Sequence, residues 1–198
     1  MPMSTILEIP DARVTLYPNF FNSEEATRIY HQLLNETQWI QHEINLFGKK
    51  IQIPRETAWH GDSGMRYTYS GMTLEPQPWN SPLIYIKQRI ETEVQTSFNS
   101  VLLNHYRNEN DSVGWHSDDE PELGKNPTIA SLSLGATRKF QFQHKSENLR
   151  SINIQLTNGS LLLMSGTTQK FWKHRIPKSA VPTGSRINLT FRMIVQER

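Results

Sequence analysis

The segment Arg186-Ile187-Asn188-Leu189-Thr190-Phe191-Arg192 constrains the fold more than any other. Successive side chains of an extended strand point to opposite faces. Ile187, Leu189, Phe191 and Met193 therefore share one face, while Arg186, Asn188, Thr190 and Arg192 share the other. A strand that is apolar on one side and carries two arginines on the other cannot sit in a plain hydrophobic core, because unpaired buried charge is costly. An anion must meet those arginines. It need not be protein: a small dicarboxylate lying along the strand would satisfy both.

The remaining pattern places this strand at the end of a β-rich region. Residues 13–17 read as a short strand. A helix is expected after Asn22, with Ser23 as cap, acids in its first turn and an apolar stripe of Ile29, Tyr30, Leu33 and Leu34. A second helix is expected from Ser81 to about Phe98, with Pro82 in its first turn and Leu83, Ile86, Ile90 and Val94 on one face. Between the helices, residues 44–80 are polar and aromatic. Short strands are then expected at 101–107, 128–134, 138–144, 151–156, 160–164, 170–175 and 186–195, with turns such as Thr157-Asn158-Gly159 between them. Helices first and many close strands later give an α+β chain, mainly β, built on a sandwich or barrel.

With 198 residues and no linker-like stretch or repeat, one domain (1–198) is expected. The chain has no cysteine, which removes disulfides, thiolate zinc sites and cysteine nucleophiles. No apolar run is long enough to span a bilayer and no secretory signal is evident, so a cytoplasmic protein, or a nuclear one in a eukaryote, is expected. A formal charge of +2 neither requires nor excludes a nucleic-acid partner. No feature signals an oligomer, so a monomer is expected.

His116-Ser117-Asp118 and His174, 58 residues later (174 minus 116), supply a two-histidine, one-carboxylate set. Three ligands on one side of an iron leave positions open for cosubstrate and oxygen, as in non-haem Fe(II) oxygenases. His-x-Asp alone is a weak signal. With 7 histidines and 19 acids among 198 residues, a chance copy is no surprise. A second copy, His60-Gly61-Asp62, precedes Ser63-Gly64 and reads as a turn. The first copy gains weight from the paired arginines and from Asn104-His105-Tyr106, whose amide and hydroxyl share a strand face and can reach a carboxylate.

Taken together, Asn104-x-Tyr106, His116-x-Asp118, His174 and Arg186 through Arg192 resemble the AlkB family of Fe(II)/2-oxoglutarate-dependent nucleic-acid demethylases. The resemblance runs from about residue 40 to 195. It is nearest to the DNA-repair homologues acting on 1-methyladenine and 3-methylcytosine, through Leu46-Phe47-Gly48-Lys49, Ile53-Pro54-Arg55, Tyr67-Thr68-Tyr69-Ser70-Gly71 and His116-Ser117-Asp118-Asp119-Glu120. It implies a double-stranded β-helix (jelly-roll) core over 99–196, N-terminal helices packed on one side, and a nucleotide-recognition segment over 40–80.

By the same resemblance His116, Asp118 and His174 bind Fe(II). Arg186 pairs with the distal carboxylate of 2-oxoglutarate, helped by Asn188 and Tyr106, while Asn104 and Arg192 approach its other end and Thr190 completes the cosubstrate face. Arg192 can also orient Asp118. The cosubstrate is consumed with O2, giving succinate, and an oxidised N-methyl group leaves as formaldehyde. Tyr67 and Tyr69 stack on an extruded cationic base, and Asp119 and Glu120 accept from its exocyclic amine. Phe47 is a wedge at the tip of Phe47-Gly48, with Lys49, Lys50 and Arg55 on phosphates. An exposed Phe47 favours duplex DNA, and a buried one favours single strands or RNA.

Departures from the relatives, namely Tyr69, Trp115 and Trp59-His60, bear on lesion and strand preference and not on the iron site. The alternatives are the same oxygenase chemistry on methylated RNA or a protein side chain, and a non-catalytic binding module of the cupin type. The last leaves Arg186 and Arg192 without partners.

Overall fold

Period-two alternation in the strands decides the architecture. The computed structural model describes residues 2–46, 49–65, 67–69, 72–74 and 76–195, with backbone only at 45, 46, 49, 67–69 and 72–74. In chain order the elements are β1 (Thr5–Leu7), β2 (Arg13–Tyr17), α1 (Ser23–Glu36), β3 (Glu43–Leu46), β4 (Lys49–Gln52) and β5 (Glu56–Gly61). Then come β6 (Tyr67–Tyr69), β7 (Met72–Leu74), α2 (Ser81–Val94), β8 (Ser100–Tyr106), β9 (Val113–His116) and a 3-10 turn at Pro121–Leu123. The rest is β10 (Ile129–Gly135), β11 (Arg138–His144), β12 (Ile152–Leu156), β13 (Leu161–Ser165), α3 (Thr168–Phe171), β14 (Trp172–Ile176) and β15 (Arg186–Arg192).

Two antiparallel sheets carry the core. The larger has the order β1-β2-β13-β10-β15-β8-β5, and the smaller β12-β11-β14-β9. Ile187, Leu189 and Phe191 of β15, Val101 and Leu103 of β8, and Leu132 and Leu134 of β10 pack with Ile29, Leu33, Ile86 and Ile90 of the helices. The opposite face of the large sheet, through Tyr106, Ile129, Leu162 and Met164, packs on Phe140, Phe142, Ile154, Leu156, Trp172 and Ile176 of the small sheet. Helices on one side and a second sheet on the other match the expected α+β, mainly β arrangement. The large sheet is therefore covered on both faces, and any polar side chain on its inner face is buried between sheets.

Several boundaries differ from expectation. Asn22, not Ser23, caps α1, its side chain accepting from Glu25 N at 2.9 Å. Asn22 holds the extended backbone that a cap needs, whereas Ser23 is already helical. The second helix stops at Val94 because Gln95 adopts a left-handed conformation at φ 52°. The stretch 170–175 divides into the end of α3 and the start of β14. Strand β15 ends at Arg192. Past it the backbone N–H and C=O of Ile194 pair with the Asn99 amide at 2.7 and 2.8 Å, and Met193 is exposed rather than part of the apolar face.

The Thr157-Asn158-Gly159 turn is where expected, and it braces α1. Gly159 accepts from Phe21 N at 3.1 Å and has φ +80°. A Cβ at this position would lie 2.2 Å from the Phe21 carbonyl oxygen. Gly159→Ala is expected to destabilise the fold by about 1–3 kcal/mol from the backbone conformation alone, and more from the backbone clash. Urea unfolding of the variant checks this, and a change within about 0.5 kcal/mol would refute it.

Candidate active site

The inner face of the large sheet carries a polar stripe where an apolar core would otherwise close. In the strand register Arg186 lies opposite Tyr106, Asn188 opposite Asn104 and Ser133, and Thr190 opposite Ser131. All are buried. All but Ser133, together with His116, Asp118 and His174, line a cavity of about 360 Å³, within the range of small-molecule sites, roughly 300–1,000 Å³.

Arg186 is the most telling member. It is 1 % exposed, and its Nη2 donates to Ser133 Oγ at 2.9 Å. Its Nε and Nη1 are buried with no hydrogen-bond partner among the described residues. Its guanidinium carbon stands 5.2 Å from the Tyr106 ring centroid. Burial lowers its pKa to about 10, so it stays charged at neutral pH. An unmatched fork of guanidinium N–H groups facing a cavity is a carboxylate receptor.

Asn188 and Thr190 face the same cavity, but their hydrogens are committed to the protein. Asn188 Nδ2 donates to Ser131 Oγ at 2.8 Å and Leu132 O at 3.0 Å, and Thr190 Oγ1 donates to Asn188 Oδ1 at 3.0 Å. They shape the floor, while Arg186 keeps free donors. Ser131 and Ser133 were missed in the sequence. The signal was available, since Ala130-Ser131-Leu132-Ser133-Leu134 is a period-two alternation that puts both serines on one face.

The three candidate iron ligands converge from two neighbouring strands of the small sheet. His116 ends β9 and pairs with His174 of β14. Asp118 lies just past β9, its backbone N–H donating to Gln169 Oε1 at 3.0 Å. One ligand atom from each of the three falls within 4.8 Å of the others, compatible with a shared ion at metal–ligand distances of about 2 Å. His174 Nε2 stands 3.6 Å from Asp118 Oδ2. His116 Nδ1 is 2.9 Å from the Gly114 carbonyl, which fixes the tautomer that leaves Nε2 as a lone-pair ligand.

The electrostatics suit a cation. Burial would raise the Asp118 pKa, but Arg192 and the two imidazoles outweigh it and bring it to about 2. Arg192 Nε donates to Asp118 Oδ1 at 3.1 Å, and its Nη2 donates to the same oxygen. Burial, then the neighbouring His116, lower His174 to about 3, leaving it neutral. Phe140 stacks on the His174 ring at 5.1 Å, holding its plane. An ionised carboxylate and neutral imidazoles are the forms that bind metal.

Other expected site residues fall differently. Arg55 is not on a phosphate-facing surface. It is 6 % exposed and reaches into the cavity, with Nε donating to Asn104 Oδ1 at 2.8 Å and Nη1 to Ser112 O at 3.3 Å. The turn after Ile53-Pro54 directs it inward, where Asn104 accepts it. Asp119 and Glu120 separate: Asp119 is exposed and pairs with Lys145 at 2.8 Å, whereas Glu120 lines the cavity with a buried, unpartnered Oε2. His60-Gly61 is not a turn but the end of β5. Burial lowers the His60 pKa, and its Nδ1 lies 2.8 Å from the Pro78 carbonyl. Lys50 is exposed on β4. Phe47 and Gly48, expected as a wedge, lie outside the described residues, as do the side chains of Lys49, Tyr67 and Tyr69.

A second cluster, Asp11, His144 and Glu147, brings three ligand types together. It is not a metal site by donor logic. His144 Nδ1 accepts backbone N–H groups from Ser146 and Glu147, so Nε2 carries the ring hydrogen and points at Asp11 Oδ2, 3.8 Å away.

Residues 13–192 match the 2OG-Fe(II) oxygenase superfamily. The chain is 46 % identical over 192 residues to human "alpha-ketoglutarate-dependent dioxygenase alkB homolog 3", covering 92 % of this chain and 66 % of that protein. It is 37 % identical over 189 residues to mouse "DNA oxidative demethylase ALKBH2", covering 90 % of this chain and 79 % of that protein. A solved structure of OsALKBH1 superposes with TM-score 0.66 at 14 % identity, covering 96 % of this chain and all of that one. A Trichoplax adhaerens prolyl hydroxylase in complex with a peptide fragment superposes with TM-score 0.61 at 12 % identity, covering 90 % and 83 %. These two share the jelly-roll fold.

Proposed function

The chain belongs to the 2OG-Fe(II) oxygenase superfamily and to its AlkB branch, and from that premise we propose that it is an oxidative demethylase of alkylated DNA bases. The methylated bases are 1-methyladenine and 3-methylcytosine. Support for the dioxygenase comes from one observation above all. The buried Arg186 fork and the His116, Asp118 and His174 cluster open into the same cavity. Support for the substrate comes from the relatives, one of which is named for oxidative demethylation of DNA.

Fe(II) would be held by His116, Asp118 and His174, and with 2-oxoglutarate and O2 it would supply the oxidation of the N-methyl group. The chain's residues do the rest. Arg186 binds the far carboxylate of the cosubstrate, and Tyr106 forms the wall beside it. Arg55 fixes the Asn104 amide by occupying its oxygen, and Asn104 lines the cavity. Glu120 presents a carboxylate oxygen to an incoming base, where it accepts an exocyclic N–H and favours a cationic lesion over a neutral base. Asp119 is exposed and held by Lys145 instead, so it is left out of this role. Hydroxylation leaves an unstable hydroxymethyl group, which departs as formaldehyde and restores the base. A base within a duplex must be extruded to reach this buried site.

No helix among the described residues is long and apolar enough to cross a membrane. We place the protein where its nucleic acid is, cytoplasmic in a bacterium or nuclear in a eukaryote, acting as a monomer on one domain.

The test is incubation with Fe(II), ascorbate, 2-oxoglutarate and a 3-methylcytosine oligonucleotide, single-stranded and duplex, with methyl loss followed by mass spectrometry. Demethylation by the wild type, and at least about a thousandfold less by His116→Ala, is expected, because an open metal site cannot form with two ligands. No formaldehyde from any N-methylated DNA, with iron and cosubstrate bound, would refute the DNA reading. Turnover on methylated RNA or a methylated protein side chain under those conditions would move the same chemistry to that substrate.

A further inference from the structure

The small sheet has an outer face with an unusual charge. Its four strands, β9, β11, β12 and β14, contain no Asp or Glu, although the chain has 19 acids. Strand alternation turns Phe140, Phe142 and His174 inward. It turns Lys139, Gln141, Lys173, Arg175, Asn153 and Gln155 outward. Every one of these outward side chains carries N–H donors, and three of the six are cationic at neutral pH.

These side chains form a ladder that ends at the cavity. Asn153, Gln141 and Arg175 are successive cross-strand partners. Gln141 Nε2 donates to Asn153 Oδ1 at 2.7 Å, and Arg175 Nε donates to Gln141 Oε1 at 2.8 Å. The amide oxygens are thus consumed inside the ladder. The Arg175 Nη groups make no hydrogen bond among the described residues. Arg175 lies 4.4 Å from the centroid of Trp115, and the Lys173 ammonium lies 5.7 Å from it. Trp115 and Arg175 also border the active-site cavity. A ladder whose acceptors are satisfied internally, and whose donors and cations face solvent, suits a polyanion. Its position beside the cavity makes that polyanion continuous with the substrate.

Resting on the demethylase reading above, we propose that this face carries the sugar–phosphate backbone on one side of the target nucleotide. Arg175, held flat by Trp115, takes the phosphate nearest the cavity, and Lys173 and Lys139 take phosphates further along. Phosphate contacts set register without reading sequence, so this track serves any lesion that reaches the cavity.

The experiment is a salt titration of binding between the full chain and an unmethylated single-stranded 15-nucleotide DNA. Each phosphate contact contributes about 0.7 to the slope of log affinity against log salt. Lys139→Gln with Lys173→Gln and Arg175→Gln should therefore lower the slope by about 2. The double variant Lys139→Gln/Lys173→Gln leaves the cavity lining intact. It should demethylate a methylated dinucleotide at the wild-type rate, with KM for the oligonucleotide raised about tenfold. A triple variant with an unchanged slope overturns the track. So does a polyglutamate peptide that competes with the oligonucleotide and depends on the same three side chains, since the face would then serve an acidic protein. Failure of the wild type to demethylate either nucleic acid would strike the demethylase reading instead, whatever the slopes.

Discussion

Replacing Arg186 with Gln should raise the KM for 2-oxoglutarate by about 10²–10³-fold while Fe(II) affinity stays within a few fold. Deleting one member of a buried charge pair costs roughly 3–4 kcal/mol, which converts to that range. Arg186 is poised for this effect because, among the described residues, Nη2 donates to Ser133 while Nε and Nη1 are buried without a hydrogen-bond partner. Its pKa, lowered by burial to about 10, leaves the charge in place at neutral pH. Arg186→Lys keeps the charge but loses the fork and should fall between, at about tenfold. A second readout separates binding from folding. 2-Oxoglutarate binds only the native wild type and should raise its melting temperature in proportion to the logarithm of its concentration. In Arg186→Gln that rise should vanish at the same concentrations. A KM within threefold of the wild type, or an unchanged thermal shift, would show that the carboxylate binds elsewhere.

Replacing Arg192 with Gln should weaken Fe(II) by about 10–100-fold, although Arg192 is not itself a ligand, because partners behind a ligand set its orientation and charge. Arg192 donates from two nitrogens to Asp118 Oδ1. Without it burial dominates, and the Asp118 pKa rises from its present value of about 2. Protons then compete with iron, so the loss should be greater at pH 6 than at pH 8. Asp118 contributes to apoprotein stability above its ordinary value of 3.8, and that contribution is lost as pH falls toward 2. At one pKa unit per 1.36 kcal/mol, the difference is about 2 kcal/mol for this fully buried group. In Arg192→Gln that contribution should be absent over the whole range, since a buried Asp118 without its guanidinium partner gains nothing from ionising on folding. Calorimetry of the apoproteins from pH 7 to 3 and Fe(II) titration under argon make the comparison. Equal iron affinity at both pH values would refute the coupling.

Both predictions begin from one strand, and much of the site was legible in it. The alternation of Arg186 through Arg192 put four polar side chains on one face, and the fold keeps them there with Ile187, Leu189 and Phe191 opposite. Period two is a property of the extended backbone, so it survives whatever the rest of the chain does. The clustering of His116, Asp118 and His174 was legible for a different reason: few residue types bind iron, and this chain offers few in the right pairing. Helix ends were less legible. Ser23 and Asn22 are both good caps, and only the backbone angle at each decides between them. Arg55 was misassigned because a basic residue near other basic residues resembles a surface patch. Its direction depends on Asn104, 49 positions away along the chain.

The sequence alone determined which side chains share a face, which residues can ligate iron, and that the two arginines of β15 need anionic partners. Local backbone geometry and side-chain chemistry suffice for these. Tertiary structure decided how each arginine is satisfied. Arg192 meets Asp118 from a loop 74 residues earlier, while Arg186 meets a serine hydroxyl and an open cavity. It also decided that the acid-free outer face of the small sheet ends beside that cavity. Such pairings come from the register between strands distant in sequence, which loop closure and core packing select together.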